Sequence, residues 1–195
     1  MNVQTGRLVA ERSGVRLVIL ARPQPGCGDV ITSVRAPQLI SGVEVEAVEK
    51  FADDRGCLAE LFRFGQPGLV RDFVPASGVQ IQVSFTTSYP GVIKAFHYHF
   101  EQIDLWAPLS GMMQVALYDL RESSPTCGRL NTLFVGDARP WKIGIPPGVA
   151  HGYRVLGTEP SAMIYAMDRF YNPQDEGRIA YDDPGINYDW VTRPR

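Results

Sequence analysis

The stretch GVIKAFHYHFEQIDLWAPLSG, residues 91 to 111, carries the spacing that decides the fold. His97 and His99 are two residues apart, and because residues i and i+2 of a strand point to the same face, both rings project the same way. Asp104 follows, and the closing glycine completes the pattern G-x5-H-x-H-x4-D-x6-G. The third histidine of the chain, His151, lies in PPGVAHG, just after a tight turn. We expect these four side chains to share one pocket.

Short strand-like segments separated by turns occupy much of the remaining chain. In VQIQVSF, residues 79 to 85, apolar and polar side chains alternate, which is typical of a β-strand. Further strand candidates are VEVEAV (43–48), VIKAFHYH (92–99), MMQVALYDL (112–120), NTLFV (131–135), WKIGI (141–145), GYRVL (152–156) and AMIYAM (162–167). No long segment has helical periodicity, and the best short helix candidate is GLVRDFV, 68 to 74. About eight strands with turn punctuation predict an all-β sandwich or jelly roll.

Composition limits the function classes. The 195 residues suit a single domain with a real core. A net charge of −2, from 19 basic and 21 acidic residues, argues against a nucleic-acid-binding surface. No run approaches the ~18 apolar residues of a membrane span, and the N-terminus lacks the apolar region of a signal peptide. Three cysteines without CxxC spacing favour free thiols in a reducing compartment, so we expect a cytoplasmic protein that binds neither nucleic acid nor membrane.

Residues 1 to 44 are the least patterned part of the chain. We expect them to form an N-terminal arm or edge strands, with the single β-domain continuing over residues 45 to 190. Because such arms often pair with a second subunit, we also expect a homodimer.

The histidine–aspartate set allows two interpretations. Three neutral imidazoles and one carboxylate suit a divalent transition metal such as Zn, Mn, Ni or Fe, with His97, His99, Asp104 and His151 as ligands. The alternative is a metal-free polar pocket in which His99 and Asp104 hydrogen-bond each other. The spacing resembles the two motifs of the cupin superfamily, which implies a cupin jelly-roll barrel with these side chains inside it.

Several longer segments resemble the dTDP-4-dehydrorhamnose 3,5-epimerases, over about residues 45 to 190. They are FADDRGCLAELF (51–62), GVIKAFHYH (91–99), MMQVALYDLRESSPTCG (112–128), IPPGVAHGYRVLG (145–157), MIYAMDRFYNP (163–173) and YDDPGINYDW (181–190). Their order and spacing identify the chain as a divergent member of that family. The resemblance implies an isomerase that needs no cofactor and acts on a nucleotide-linked 4-keto-6-deoxy sugar, in deoxysugar or polysaccharide biosynthesis.

The family reaction removes a proton from carbon 3 or 5 of the sugar, beside the ketone, and returns one to the opposite face. Such chemistry needs a base, an acid, and hydrogen-bond donors or positive charge at the developing enolate. The resemblance implies that His97 is the base and Tyr165 the acid. Our predicted substrate-binding set combines the family positions with the histidine–aspartate spacing: Arg55, Glu60, Gln82, Lys94, His99, Asp104, His151 and Tyr171.

Some of these residues have simpler interpretations. Tyr165 suits a core aromatic of the AMIYAM strand, and Arg55 with Glu60 suits a surface ion pair, which contributes little stability. Strict alternation places Lys94 on the strand face opposite His97. A role for Lys94 in the pocket therefore requires a bulge or a strand end at that point.

The chain departs from the family at three places. The epimerases usually carry a lysine at the position of Asp104, an aspartate in a C-terminal L-S-x-K-D motif that pairs with the base, and HYQ where this chain has HYH. A metal could replace the lysine by polarising the ketone, and His97 would then be a ligand rather than the base. Two alternatives to the epimerase therefore stand: a different, metal-dependent cupin enzyme, and a non-catalytic cupin that binds a sugar nucleotide.

Overall fold

The computed structural model of the chain describes residues 26–64 and 80–191 in full, together with the backbone of residues 8–12 and 15–19. All the regular secondary structure in this described part consists of strands. The strands are β1 Leu8–Arg12, β2 Val15–Ile19, β3 Asp29–Val30, β4 Glu44–Ala47, β5 Lys50–Asp53, β6 Gly56–Ala59, β7 Gln82–Ser88, β8 Ile93–His99, β9 Asp104–Ser110, β10 Met112–Asp119, β11 Leu130–Gly136, β12 Trp141–Ile145, β13 Val149–Leu156, β14 Ser161–Met167 and β15 Glu176–Arg178. The helix candidate GLVRDFV lies outside the described residues.

Two sheets form the body of the molecule. One has six strands in the order β15-β8-β13-β10-β11-β3, and the other has five in the order β4-β12-β9-β14-β7. Every pairing in these sheets is antiparallel except that of β11 with β3. β3, from the least patterned part of the sequence, and β4, within the strand candidate VEVEAV, form one edge of each sheet, while β1 with β2 and β5 with β6 form separate hairpins. The prediction of an all-β jelly roll is confirmed.

The main core fills the space between the two sheets. Apolar side chains of β10 such as Val115 pack there against Trp106 and Ile143 of the five-stranded sheet. A second core covers the outer face of the six-stranded sheet, where Phe96 and Tyr118 meet Trp190 of the C-terminal segment. β10 is therefore buried on both faces, which explains why its sequence is an almost continuous apolar run rather than an alternating one.

The alternating strand near residue 80 has its faces reversed relative to a simple core strand. β7 begins at Gln82, and its apolar residues Val83 and Phe85 are 55% and 65% exposed. The polar face, which includes Thr86, points toward the space between the sheets. The reversal arises because a polar cavity, rather than the apolar core, lies beneath this edge strand.

The segment following the HYH histidines was not predicted as a strand. β9 lies at the centre of the five-stranded sheet although it contains Pro108. Proline cannot donate to a sheet ladder and is tolerated in a strand at a bulge. The register between β9 and β14 shifts at this point, because Met163 pairs with Pro108 while Ala162 pairs with Ser110.

A second irregularity lies between β8 and β13. His151 pairs with His97, but Tyr153 pairs with Lys94, so β8 contains one residue more than β13 over this interval. Since His151 and Tyr153 share a face of β13, their partners His97 and Lys94 share a face of β8. The bulge that a pocket role for Lys94 requires is therefore present.

Candidate active site

A cavity of about 650 Å³ opens between the two sheets. The six-stranded sheet contributes His97 and Lys94 to its wall, and the five-stranded sheet contributes Trp106 and Tyr165. The complete lining is Thr86, Ile93, Lys94, Ala95, Phe96, His97, His99, Gln102, Asp104, Trp106, Tyr153, Met163, Tyr165, Met167, Tyr171, Glu176, Arg178, Ile179 and Ala180. Most of the residues predicted from the sequence to form the site therefore meet in one place.

The three histidines converge on the Asp104 carboxylate at the inner end of the cavity. Asp104 Oδ2 lies 3.1 Å from His151 Nε2, 3.8 Å from His99 Nε2 and 4.0 Å from His97 Nε2. The side chains of His99, Asp104 and His151 are at most 5% exposed, whereas that of His97 is 28% exposed. His97 is thus the histidine that presents its ring to the cavity.

Hydrogen bonds fix the orientation of this cluster. His151 Nδ1 lies 2.8 Å from the carbonyl oxygen of Val149, and Gln102 Nε2 donates to Asp104 Oδ1 over 2.7 Å. Gln102 Nε2 also lies 3.2 Å from His99 Nε2. The 3.8 Å separation of His99 and Asp104 is too long for the direct hydrogen bond considered above.

The cluster contains an ionised carboxylate beside a neutral imidazole. Burial alone raises the pKa of Asp104, but the contact with His151 and the surrounding imidazoles outweigh it and lower the pKa to about 2. Burial lowers the pKa of His97 well below its ordinary value, and neighbouring His151 acts in the same direction while Asp104 opposes them. His97 is therefore uncharged near neutral pH, which is the form that can accept a proton.

The donor set fits a divalent transition metal. One ligand atom from each of His97, His99, Asp104 and His151 can be chosen so that all four lie within 4.8 Å of one another. Imidazole nitrogens and a carboxylate oxygen are ordinary ligands of Zn, Mn, Ni and Fe. An ion held there would supply Lewis acidity beside the cavity.

Two tyrosines predicted to contact substrate lie on the side of the cavity formed by the five-stranded sheet, opposite His97. Tyr165, on β14, lines the cavity, so it is not solely a core aromatic. Tyr171 also lines the cavity and is 53% exposed, which places it at the mouth. Gln82 accepts a hydrogen bond from the backbone N–H of Tyr171 over 2.9 Å. Gln82 therefore supports the mouth and is not among the described lining residues.

Two positively charged side chains, Lys94 and Arg178, line the cavity. Lys94 Nζ donates to Thr86 Oγ1 over 3.2 Å and lies 5.9 Å from the centre of the Tyr153 ring. Arg178 pairs directly with His97 in the register of β15 and β8, so its side chain leaves the sheet on the cavity side, where it contacts Glu176. Lys94 and Arg178 are thus cations of the cavity lining, and the Arg178 guanidinium is paired with the Glu176 carboxylate, which lines the cavity as well.

Arg55 and Glu60 are not among the described residues that line the cavity. Arg55, at the turn of the β5–β6 hairpin, pairs with Asp53, and its side chain is 84% exposed. Glu60 accepts a hydrogen bond from Arg63 over 2.7 Å. The two residues do not pair with each other, and their role at the nucleotide end of the substrate stays a prediction.

Sequence reasoning missed Gln102, Trp106 and Arg178 as site residues. Trp106 could have been found, because it lies two residues beyond Asp104 on the same strand face. Arg178 could not, because its place in the site depends on the pairing of the short strand β15 with β8. Gln102 lies inside the first motif, at an unspecified position between His99 and Asp104, and the turn that directs it inward is formed by Asp175, which accepts hydrogen bonds from the backbone N–H groups of residues 100 to 102.

Within the described residues, no helix is long and apolar enough to cross a bilayer.

Comparison with known proteins identifies the family of the chain. The family model for dTDP-4-dehydrorhamnose 3,5-epimerase matches residues 37–195. The spore coat polysaccharide biosynthesis protein SpsL of Bacillus subtilis is 47% identical over 159 residues, which cover 80% of this chain and 100% of that protein.

Solved structures show the same fold. The dTDP sugar isomerase of Desulfovibrio desulfuricans superposes with a TM-score of 0.68 at 25% identity, covering 77% of this chain and 92% of that chain. The dTDP-6-deoxy-D-glucose-3,5-epimerase of Legionella pneumophila, in complex with dTDP-4-keto-L-rhamnose, gives 0.67 at 27% identity, covering 77% and 79%. The chain is therefore an epimerase with a cupin fold, and it belongs to the dTDP-4-dehydrorhamnose 3,5-epimerase family.

Proposed function

We propose that this epimerase inverts carbon 3, carbon 5 or both in a nucleotide-linked 4-keto-6-deoxy sugar. The observation that carries the proposal is the placement of His97 and Tyr165 in opposite sheets, so that they line the cavity from two sides. Inversion requires removal of a proton from one face of the ring and its return to the other, and a base and an acid on opposing walls meet that requirement.

His97 is the proposed base. Its ring is uncharged because burial lowers its pKa, and it reaches the cavity while its neighbours stay buried. Trp106, whose ring centre lies 6.0 Å from that of His97, limits the positions available to the imidazole. Tyr165 is the proposed acid, since its hydroxyl can return a proton to the other face of the ring.

Lys94 and Arg178 are the proposed partners of negative charge. Removing a proton beside a ketone builds charge on the ketone oxygen, and the substrate also carries a diphosphate. Both cations line the cavity wall that contains His97. They compensate for Asp104, which stands where the family usually has a lysine and adds a negative charge at the inner end of the cavity.

We also propose a homodimer. Val83 and Phe85 on edge strand β7 expose apolar surface, as do Phe51 and Leu58 on the β5–β6 hairpin, at 54% and 71%. Apolar side chains clustered on an edge strand and a hairpin are typical of surfaces covered by another chain. A dimer in which one protomer's hairpin lies over the other's cavity would also bring Arg55 to a substrate.

We propose that the protein is located in the cytoplasm. Cys57 is an exposed thiol without a disulfide. Such thiols persist in a reducing compartment and tend to oxidise outside it.

Proton exchange tests the proposal directly. The protein is incubated with dTDP-4-keto-6-deoxyglucose in D₂O, and the sugar protons H3 and H5 are followed by NMR. Loss of the H3 or H5 signal, faster than in a sample without protein, identifies the carbon from which the proton is removed. His97→Asn keeps a polar, uncharged side chain but removes the base, and it should lower the exchange rate by about 10²–10⁴-fold.

Both alternative functions predict no exchange in the same assay, unlike the epimerase. A non-catalytic cupin would bind the sugar nucleotide without exchange at either carbon. A metal-dependent cupin of different chemistry would show no exchange either, with or without added Zn, Mn, Ni or Fe. If the His97→Asn variant exchanged protons at the wild-type rate, the assignment of His97 as the base would be contradicted.

A further inference from the structure

We infer that Asp175 is a positioning residue of the active site, because it holds the turn between β8 and β9 in the shape that places the Gln102 amide between His99 and Asp104. The inference rests on the proposed function, since the consequence of this placement is a fixed carboxylate beside the proposed base, His97. It stands on the hydrogen bonds and the burial of these side chains.

Side-chain carboxylates organise the turn between β8 and β9, residues 100 to 103. Asp175 Oδ1 accepts from the backbone N–H groups of residues 100 and 101 over 3.2 and 3.0 Å, and its Oδ2 accepts from that of residue 102 over 3.0 Å. Asp168 Oδ1 accepts from the backbone N–H of residue 103 over 3.0 Å. All four N–H groups of the turn therefore bond to carboxylates of the segment that follows β14.

Asp175 acts on the turn rather than on an imidazole. Its Oδ2 lies 3.9 Å from His99 Nδ1, which is beyond hydrogen-bond distance. Burying a carboxylate is costly unless its oxygens are paired, and the buried Asp175 obtains that pairing from the backbone of the turn. The path of the chain from His99 to Asp104 is thereby fixed.

The Gln102 amide connects the turn to the inner end of the cavity. Gln102 is buried, and its Nε2 lies 2.7 Å from Asp104 Oδ1 and 3.2 Å from His99 Nε2. An ionised carboxylate can only accept, so the N–H groups of the amide face Asp104. The side chain reaches both partners because the turn directs it inward, and its own backbone N–H is the one that Asp175 Oδ2 holds.

This contact bears on the reaction through Asp104. The amide holds Asp104 Oδ1, and Oδ2 is directed at the imidazoles, 4.0 Å from His97 Nε2. When His97 takes a proton from the sugar its ring becomes a cation, and a carboxylate already fixed in place stabilises that charge without having to rotate. Loss of Asp175 would release Gln102, allow the Asp104 carboxylate to turn, and weaken the stabilisation of the protonated base.

The kinetics of proton exchange test the inference. Exchange at H3 and H5 is measured over a range of substrate concentrations, so that kcat and KM are obtained separately. Asp175→Asn replaces one acceptor oxygen by an NH₂ group, which cannot accept from the turn. We expect kcat to fall about 10–100-fold while KM stays within about threefold of the wild-type value.

Asp119→Asn is the matched control. Asp119 is also a buried carboxylate that organises a turn, where it accepts from the backbone N–H of Arg121 over 3.1 Å, but it is not among the described residues that line the cavity. A purely structural loss lowers the amount of folded protein and not the rate of each folded molecule. The kcat of folded Asp119→Asn should therefore stay within about threefold of wild type.

A double variant shows whether Asp175 acts through Gln102. Gln102→Met keeps an unbranched side chain of similar length but removes the amide, and it should lower kcat by a factor similar to that of Asp175→Asn. Adding Asp175→Asn to Gln102→Met should then lower kcat by no more than about a further threefold, because the shared interaction is already absent.

A measurement without turnover separates this inference from the proposed function. The side-chain NH₂ resonances of Gln102, identified by their loss in Gln102→Met, should move in Asp175→Asn and keep their positions in Asp119→Asn. Circular dichroism establishes that each variant is folded. Asp175→Glu, which displaces both oxygens by one methylene group, replaces Asp175→Asn if that variant does not fold.

Three results would overturn the inference. The first is an unchanged kcat in folded Asp175→Asn while the wild type is active, and the second is an unmoved pair of Gln102 NH₂ resonances in that variant. The third is a double variant in which the two losses of kcat multiply, because Asp175 would then act independently of Gln102. A wild-type protein that exchanges neither proton would overturn the proposed function instead, and the NH₂ resonances would still decide whether Asp175 holds Gln102.

Discussion

Gly152→Ala is the substitution that most directly tests how the fold positions the base. Gly152 lies on β13 between His151 and Tyr153, opposite the bulge of β8. A Cβ atom added there would lie 2.3 Å from Ala95 Cβ, 2.6 Å from Ala95 Cα and 2.7 Å from the carbonyl oxygen of Lys94. Because two of these atoms are backbone, rotation of a side chain cannot relieve the contact.

The size of the effect follows from these distances. Ordinary carbon–carbon contacts lie near 3.5 Å or more, so β8 and β13 must separate by about 1 Å beside His97. Overpacking of this kind costs about 1–3 kcal/mol, which corresponds to a fall in melting temperature of roughly 3–10 °C for a chain of this size. A displacement of about 1 Å at a catalytic group can lower the rate about 10²-fold. We expect both losses.

Proton exchange and thermal melting check this prediction, with Gly157→Ala as the matched control. Gly157 has a φ of 78° and open space around its added Cβ, so alanine there loses stability through backbone strain alone, about 1–2 kcal/mol. Its exchange rate should stay near that of wild type. Removing one clashing atom in Gly152→Ala/Ala95→Gly should recover part of the rate. A folded Gly152→Ala protein within about threefold of wild type would refute the link between this strand contact and the base.

The remaining predictions concern three other places. Tyr165→Phe should lower net epimerisation by about 10²–10⁴-fold while proton loss to His97, read by NMR, continues, because only the acid is removed. Asp119→Asn should cost about 1–3 kcal/mol at pH 7, since the carboxylate accepts hydrogen bonds from Arg121, Ser124 and Thr126. Burial alone raises the pKa of Asp119, but these bonds outweigh it and hold the pKa below 3.8, so the stability it contributes is complete above that pH and disappears as the pH falls through the lowered pKa. The melting temperatures of the wild type and of Asp119→Asn should therefore converge only in acid. Phe85→Lys should convert the proposed dimer to a monomer, which is measured as a lower mass by light scattering after gel filtration. Proton exchange is measured on the same sample.

The inner end of the site was predictable from local rules. His97 and His99 share a strand face because they are two residues apart, and the position of His151 after a proline–glycine turn matches the pairing of β13 with β8. Strand parity would also have placed Trp106 with Asp104 if β9 had been predicted as a strand. These conclusions need only the period of a strand and the presence of two adjacent strands.

The rim of the site depends on pairings that local rules do not specify. Lys94 reaches the cavity only because β8 has an extra residue opposite Gly152, and no residue in IKAFH marks that bulge. The direction of β7 was equally hidden, because alternation identifies two faces without saying which of them meets a polar cavity. Arg178 entered the site through strand pairing with β8.

The two walls of the cavity have different mechanical support. Behind the wall that contains His97 lies a second apolar layer, where Phe96 packs against Tyr188 and Trp190 at ring-centre distances of 6.2 and 5.5 Å. Behind β7, at the other wall, Val83 and Phe85 face outward, and the residues that the structure describes place no such layer over them. Amide hydrogen exchange should accordingly be slowest in β10 and faster in β7. Sugars of different shape would then be accommodated by movement on the Tyr165 side, while the base keeps its position.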